Sequence, residues 1–315
     1  MFKKLLSILF IIANCFIASA QNSFKIIPLG VLGGGDESNL SAYLIAPKNQ
    51  NTYVSLDAGT IKSGINKAIQ NKIFKTSADK VLQDSIKGYL ISHGHLDHLA
   101  GLILNAPDDS PKPIYAMPYV IEVLKKHYFS WESWANFANE GEKPALGKYQ
   151  YVALKSYQEE KLKATEMYVT AFPLSHVSPY ESTAFLIRRQ QDYLLYLGDT
   201  GADGVEKSQK LDSLWKFIAP LIQSKALKGI FIETSFPNAQ ADKSLFGHLN
   251  PRLLMQEMDR LSLYTGKAAL ANFNLVITHI KPAGNHTQEI KNEISKANTL
   301  KFKLVYPQQG KALFF

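Results

Sequence analysis

Thiols are nearly absent: the 315 residues include one cysteine, Cys15. It lies in an N-terminal stretch that reads as a removable leader. Lys3 and Lys4 precede an apolar run from Leu5 to Ile17, and Ala18-Ser19-Ala20 follows as a small-residue cleavage site. Charged start, short apolar core and A-x-A end are the marks of a secretory signal peptide. The run falls short of the roughly 20 residues that a bilayer-spanning helix needs, which argues against a membrane anchor. Asn14 before Cys15 and Phe16-Ile17 after it argue against a lipidated cysteine. Cleavage after Ala20 would leave a secreted or periplasmic chain starting at Gln21, with no membrane attachment, disulfide or thiolate ligand. Such a chain depends on its hydrophobic core for stability.

Clustered basic charge is also missing. The formal charge is +8, falling to +6 without Lys3 and Lys4, and the lysines are scattered. That excludes a nucleic-acid footprint and leaves a small anionic substrate, or plain solubility, as the use of the charge. Repeats and low-complexity tracts are lacking too. Gly33-Gly34-Gly35-Asp36 matches neither a Walker loop nor a dinucleotide fingerprint and reads as a tight turn, with a place at the site wall as the alternative.

What is present is short apolar strands alternating with helical stretches, the pattern of a single layered α/β domain over residues 21–315. Phe24 to Leu29, Ser41 to Ile45 and Tyr53 to Leu56 read as opening strands. Asn105 to Lys163 reads as an insert, rich in proline at first and then aromatic. Trp131, Trp134 and Phe137 recur every three residues, which predicts a helix with one apolar face. That face would serve core packing or a subunit contact in a homodimer, with base stacking as the other use.

Four strands end in residues able to bind metal. Gly88 to Ser92 runs into His93, Ala171 to Ser175 into His176, Tyr193 to Gly198 into Asp199, and Leu275 to Thr278 into His279. In open α/β architectures the site lies beyond one end of the strands. His93 and His95, two apart in extended chain, emerge on one side. Asp97 and His98 begin a helix predicted over Leu99 to Leu104, which turns them toward the same point. Three of the eight histidines fall in this one stretch, His-Gly-His-Leu-Asp-His. Imidazole and carboxylate without thiolate suit zinc, with manganese or iron as alternatives.

His93-x-His95-x-Asp97-His98 resembles the hallmark of the metallo-β-lactamase superfamily, which implies an αββα sandwich carrying two divalent metals at one edge of its sheets. The fuller form through Leu99-Ala-Gly101-Leu is similar to the signature of class II 3′,5′-cyclic-nucleotide phosphodiesterases. Gly33-Gly34 with Glu37, Asn39 and Ser41, then Leu56-Asp57-Ala58-Gly59, Glu233-Thr-Ser-Phe236, Leu245 to Pro251 and Thr278 to Pro282 resemble other stretches of that family in the same order. The resemblance implies His93, His95 and His176 on one metal, Asp97, His98 and His279 on the other, and Asp199 bridging. It also implies Asp57 as a residue orienting a ligand histidine, the alternative being an ordinary strand-ending turn.

The implied reaction is hydrolysis of cyclic AMP or GMP to the 5′-nucleotide by a hydroxide shared between the metals. The ribose 3′-oxygen leaves as a poor alkoxide and needs a proton donor. His248 is the candidate, in an arrangement similar to that of tRNA 3′-processing relatives, with Glu233 orienting it or raising its pKa. Catalytic work would thus fall on His248, Glu233 and the ligand Asp97. A loop-anchoring role is the alternative for His248. His127 and His286 lack comparable context, and Lys281 reads as a phosphate contact or a solvated lysine.

Other readings are a β-lactamase, a lactonase, an RNA-processing nuclease, or a non-catalytic metal-binding protein. The His248 segment and the missing cysteine ligand stand against a lactamase. The leader and the missing basic arm stand against a tRNA nuclease. The complete ligand set stands against a non-catalytic protein.

Overall fold

The computed structural model describes residues 23–315, so the expected leader and Cys15 lie outside the described residues. Fourteen strands among them form two seven-stranded sheets. The first contains β1 (Phe24–Gly30), β2 (Ala42–Pro47), β3 (Tyr53–Leu56), β4 (Ile86–Ile91), β5 (Lys112–Ala116) and β6 (Tyr149–Ala153). The second contains β7 (Glu159–Lys161), β8 (Tyr168–Ser175), β9 (Glu181–Arg189), β10 (Asp192–Leu197), β11 (Leu227–Glu233), β12 (Asn274–Thr278) and β13 (Lys303–Val305). The chain then returns to the first sheet, where β14 (Leu313–Phe314) pairs with β1. Spatial orders are β14-β1-β2-β3-β4-β5-β6 and β13-β12-β11-β10-β9-β8-β7. Each sheet is mixed: β3 to β6 run parallel in one and β10 to β13 in the other.

Strand pleating assigns the second sheet's residues to two cores. Ala171, Phe185, Tyr196, Phe231 and Val276 join a core with the first sheet. Their neighbours Phe172, Leu186, Leu195, Ile232 and Ile277 join a second core. The long helices are α1 (Lys62–Gln70), α2 (Leu96–Asn105), α3 (Lys210–Gln223), α4 (Pro251–Thr265) and α5 (His286–Ala297). α1 and α2 bury Ile65, Ala68, Leu99 and Leu102 in the first core. α3, α4 and α5 bury Trp215, Ile218, Leu254, Met258, Ile290 and Ile294 in the second. The architecture is the expected αββα sandwich, and the predicted strands and the helix after His95 are all present.

Backbone contact seats α2. Leu102 N and Gly101 N donate to the carbonyls of Ala58 and Gly59, at 3.1 and 2.9 Å, and Ala58 N donates to His98 O at 2.7 Å. A Cβ on Gly59 would lie 2.0 Å from the Asp97 carbonyl oxygen, so only glycine permits this approach.

Residues 105–163 correct the expectation of an insert. β5 and β6 complete the first sheet, and β7 is an edge strand of the second. After α2 ends at Asn105, helix occurs in this stretch over Pro118–Val123 and a π-helical turn, Leu124–Tyr128. Trp131, Trp134 and Phe137 lie in irregular chain. The Asn136 side chain donates to the carbonyls of Glu140 and Glu142 and accepts from Ala138 N, holding the backbone in turns that compete with helix. Trp134 and Phe137 pack on the first core, and Trp131 Nε1 donates to the Pro144 carbonyl.

Candidate metal centre

Strand ends and one helix start converge on the Asp199 carboxylate. Beyond β4 stand His93 and His95; α2 opens with Asp97 and His98; His176 follows β8, Asp199 follows β10 and His279 follows β12. Asp199 Oδ2 lies 3.2 Å from His98 Nε2, 3.3 Å from His279 Nε2, 3.7 Å from His93 Nε2 and 4.0 Å from His176 Nε2. Two donor groups meet at Asp199. His93, His95, His176 and Asp199 hold donor atoms within 4.8 Å of one another, as do Asp97, His98 and His279. All seven residues expected as ligands are therefore brought together. A further group of the same compactness is Asp199, His248 and His279. His95 is exposed while His93, His98, His176, Asp199 and His279 are buried, so the centre opens to solvent beside His95.

The donors fit divalent metal ions. His93 Nε2 and Asp199 Oδ2 are buried without a hydrogen-bond partner, a costly arrangement unless a cation satisfies them. Nε2 of His98 and Nε2 of His279 face each other at 3.0 Å. Burial, and then neighbouring His98, push His93 well below the ordinary imidazole pKa, and burial with His176 lowers His95 to about 4. Both are thus kept neutral, the form that binds metal. Burial acts to raise Asp199, but His279, His98 and His248 outweigh it and hold the carboxyl well below its usual range. Burial also acts to lower His98, yet Asp199 and Asp57 raise it well above its ordinary value. The negative field that favours a proton there favours a metal cation equally.

A second ring of residues aims these donors. Asp57, fully buried at the end of β3 with φ 54°, accepts from Ser92 N at 2.7 Å, Ser92 Oγ at 2.8 Å and Tyr196 OH at 2.7 Å. It also meets His98 Nδ1 at 2.7 Å, which leaves Nε2 for the metal side. Ser92 Oγ in turn lies 3.0 Å from His93 Nδ1. Asp57→Asn is expected to weaken metal binding about 10–100-fold in chelator competition. Unchanged affinity would reduce Asp57 to a turn residue. Ser235 Oγ reaches His279 Nδ1 at 2.9 Å, and the Gly247 carbonyl reaches His176 Nδ1 at 2.8 Å. Gly247 has φ 75°, and a Cβ there would lie 2.4 Å from Val177 N.

His248 is buried beside the centre. Its Nδ1 lies 2.8 Å from Glu233 Oε1 and 3.7 Å from Asp199 Oδ2. Burial opposes its protonation, but Glu233 and Asp199 raise its pKa overall. Glu233 also accepts from Ser235 Oγ at 2.7 Å, Thr200 N at 3.1 Å and Leu249 N at 3.3 Å, which fixes its carboxylate. Asp97 Oδ2 lies 3.2 Å from His279 Nε2; burial acts to raise Asp97, but that hydrogen bond and the charges of His98 and His279 together hold it well below its usual pKa. The glycine turn does line the site: Gly33 N donates to Ile280 O, and Lys281 Nζ donates to Gly33 O at 3.3 Å. His127 is exposed on the Leu124–Tyr128 turn, and His286 opens α5; neither joins the centre.

Sequence reasoning missed Ser92, Ser235 and Gly247, which contact Nδ1 of His93, His279 and His176, and Tyr196, which donates to Asp57. Ser92 and Ser235 lay within noted stretches; Tyr196 carried no signal beyond an apolar strand. Also missed was a cleft of about 380 Å³ against His93, His95 and His176, walled by Tyr119, Val123 and Tyr180.

Comparison with known proteins agrees with this geometry. An Aliivibrio fischeri 3′,5′-cyclic-nucleotide phosphodiesterase is 41% identical over 331 residues, covering all of both chains. A Dictyostelium discoideum cAMP/cGMP-dependent 3′,5′-cAMP/cGMP phosphodiesterase A is 30% identical over 373 residues, covering 91% of this chain and 80% of that one. Among solved structures, unliganded yeast PDE1 superposes with a TM-score of 0.82 at 23% identity, over 93% of this chain and 100% of that one. Residues 22–303 match the family described as the class II cAMP phosphodiesterases, and to that family, built on the metallo-β-lactamase fold, this chain belongs.

Proposed function

We propose that this phosphodiesterase opens the 3′-ester of 3′,5′-cyclic AMP or GMP, giving the 5′-monophosphate, with His248 protonating the departing 3′-oxygen. The observation that carries this reading is the buried His248–Glu233 pair, 2.8 Å apart, set against the donor cluster at Asp199. His93, His95 and His176 would hold one divalent ion and Asp97, His98 and His279 the other, with Asp199 shared; their chemistry favours zinc, then manganese or iron. When bound, such ions activate water as a nucleophile and neutralise charge developing on phosphoryl oxygens.

The protein's own part is positional. Asp57 and Ser235 fix ligand imidazoles through their Nδ1 atoms. Glu233 engages Nδ1 of His248, leaving Nε2 for proton transfer. The two carboxylates nearby keep His248 protonated to higher pH, as a general acid requires. A second reading makes His248 a ligand, since it forms a compact group with Asp199 and His279.

Export follows from the charged, apolar and small-residue order of residues 3–20, and we extend the proposal to a mature periplasmic or secreted chain starting at Gln21. The test uses protein recovered from the cell envelope, with an expected intact mass beginning at Gln21, on a panel of cyclic nucleotides, a β-lactam and a lactone. Cyclic AMP or GMP should yield the 5′-monophosphate. Turnover of the lactam or lactone without either nucleotide would overturn the reading.

A further inference from the structure

The cleft beside His95 has features that metal chemistry does not require. Its floor is His93, His95 and His176, and its apolar walls are the rings and methyls of Tyr119, Val123 and Tyr180. Tyr119 is anchored: its hydroxyl donates to Ser182 O at 2.7 Å and lies 2.7 Å from Thr183 Oγ1, so the ring alone is offered to the cleft. Tyr180 is 71% exposed, although its backbone is pinned. Tyr180 N donates to Val177 O at 3.0 Å, His176 N donates to Tyr180 O at 3.2 Å, and Ser178 N donates to Glu206 Oε2 at 2.8 Å. Val177 in this loop has φ 55°, a conformation unfavourable for a β-branched residue. A strained, tethered loop thus holds a large aromatic ring in water next to the donor cluster. Among the described residues no aromatic ring stacks on it.

We infer that this cleft is the nucleobase subsite, with Tyr180 stacking on the purine while the cyclic phosphate lies at the metal centre. The inference rests on the cyclic-nucleotide reading above. Continuity with His93, His95 and His176 puts the cleft within reach of the same small molecule. Its flat apolar walls suit a purine's faces, and the carboxylate of Glu181, ion-paired with Lys210, gives the rim an acceptor for ring or exocyclic N–H groups. Base–aromatic stacking is tolerant of base identity, which suits either of the two proposed substrates, cyclic AMP or cyclic GMP.

The test compares cyclic AMP with methyl ribofuranoside 3′,5′-cyclic phosphate, which carries the same ester without a base. Tyr180→Ala should raise KM for cyclic AMP about tenfold. It should leave the parameters for the abasic ester and the bound metal unchanged, and Tyr180→Phe should restore the wild-type KM. An unaltered KM for cyclic AMP, or an equal loss on both esters, would overturn the subsite. Wild-type enzyme inactive on every cyclic nucleotide would instead remove the reading on which the subsite rests.

Discussion

Asp199→Ala is expected to lower kcat/KM for cyclic AMP by at least about 10³-fold and to reduce bound metal. Asp199 faces His93, His98, His176 and His279 within 4.0 Å and so lies within reach of both donor groups. Its loss leaves buried imidazoles without the carboxylate that compensates metal charge. Electrostatic stabilisation of several kcal/mol is then lost, and each 1.36 kcal/mol is worth a factor of about ten. Elemental analysis together with steady-state kinetics checks this. Full metal occupancy with intact turnover would show that Asp199 bridges nothing.

The second large effect is expected at His248. Alanine there should reduce kcat on cyclic AMP by about 10²- to 10⁴-fold, the usual contribution of a positioned acid. Metal content should be preserved. A diester whose leaving group is p-nitrophenolate needs little protonation, so its turnover should fall far less. That contrast separates the proposed roles of His248. A proton donor gives leaving-group-dependent loss at constant metal, whereas a ligand in the group with Asp199 and His279 gives metal loss and equal decline on both substrates. Glu233→Gln should follow His248→Ala in direction with a smaller loss, because the carboxylate acts through the imidazole it holds at 2.8 Å.

Much of this centre is legible in the sequence because residues able to bind metal are of few types and here stand at strand ends. His176, Asp199 and His279 could be placed from the apolar runs before them, and β8, β10 and β12 deliver them as expected. Asp57 was legible as a motif; that it collects Ser92, His98 and Tyr196 was not, since those residues come from three separate elements. The predicted aromatic helix failed for a local reason. The three-residue spacing of Trp131, Trp134 and Phe137 also fits a folded loop, and the hydrogen bonds of Asn136 decide for the loop. Tyr180 was indistinguishable from any loop tyrosine. Only its exposure on a pinned turn above the cleft sets it apart.

The proposed cyclic-nucleotide hydrolase would work through two cooperating metal ions at Asp199. The most direct measurement is titration of chelator-stripped enzyme with zinc or manganese while following cyclic AMP and identifying its product. Activity should be absent without metal, saturate near two equivalents per chain, and give only 5′-AMP. Turnover that survives metal removal, or a product of 3′-AMP, would contradict it.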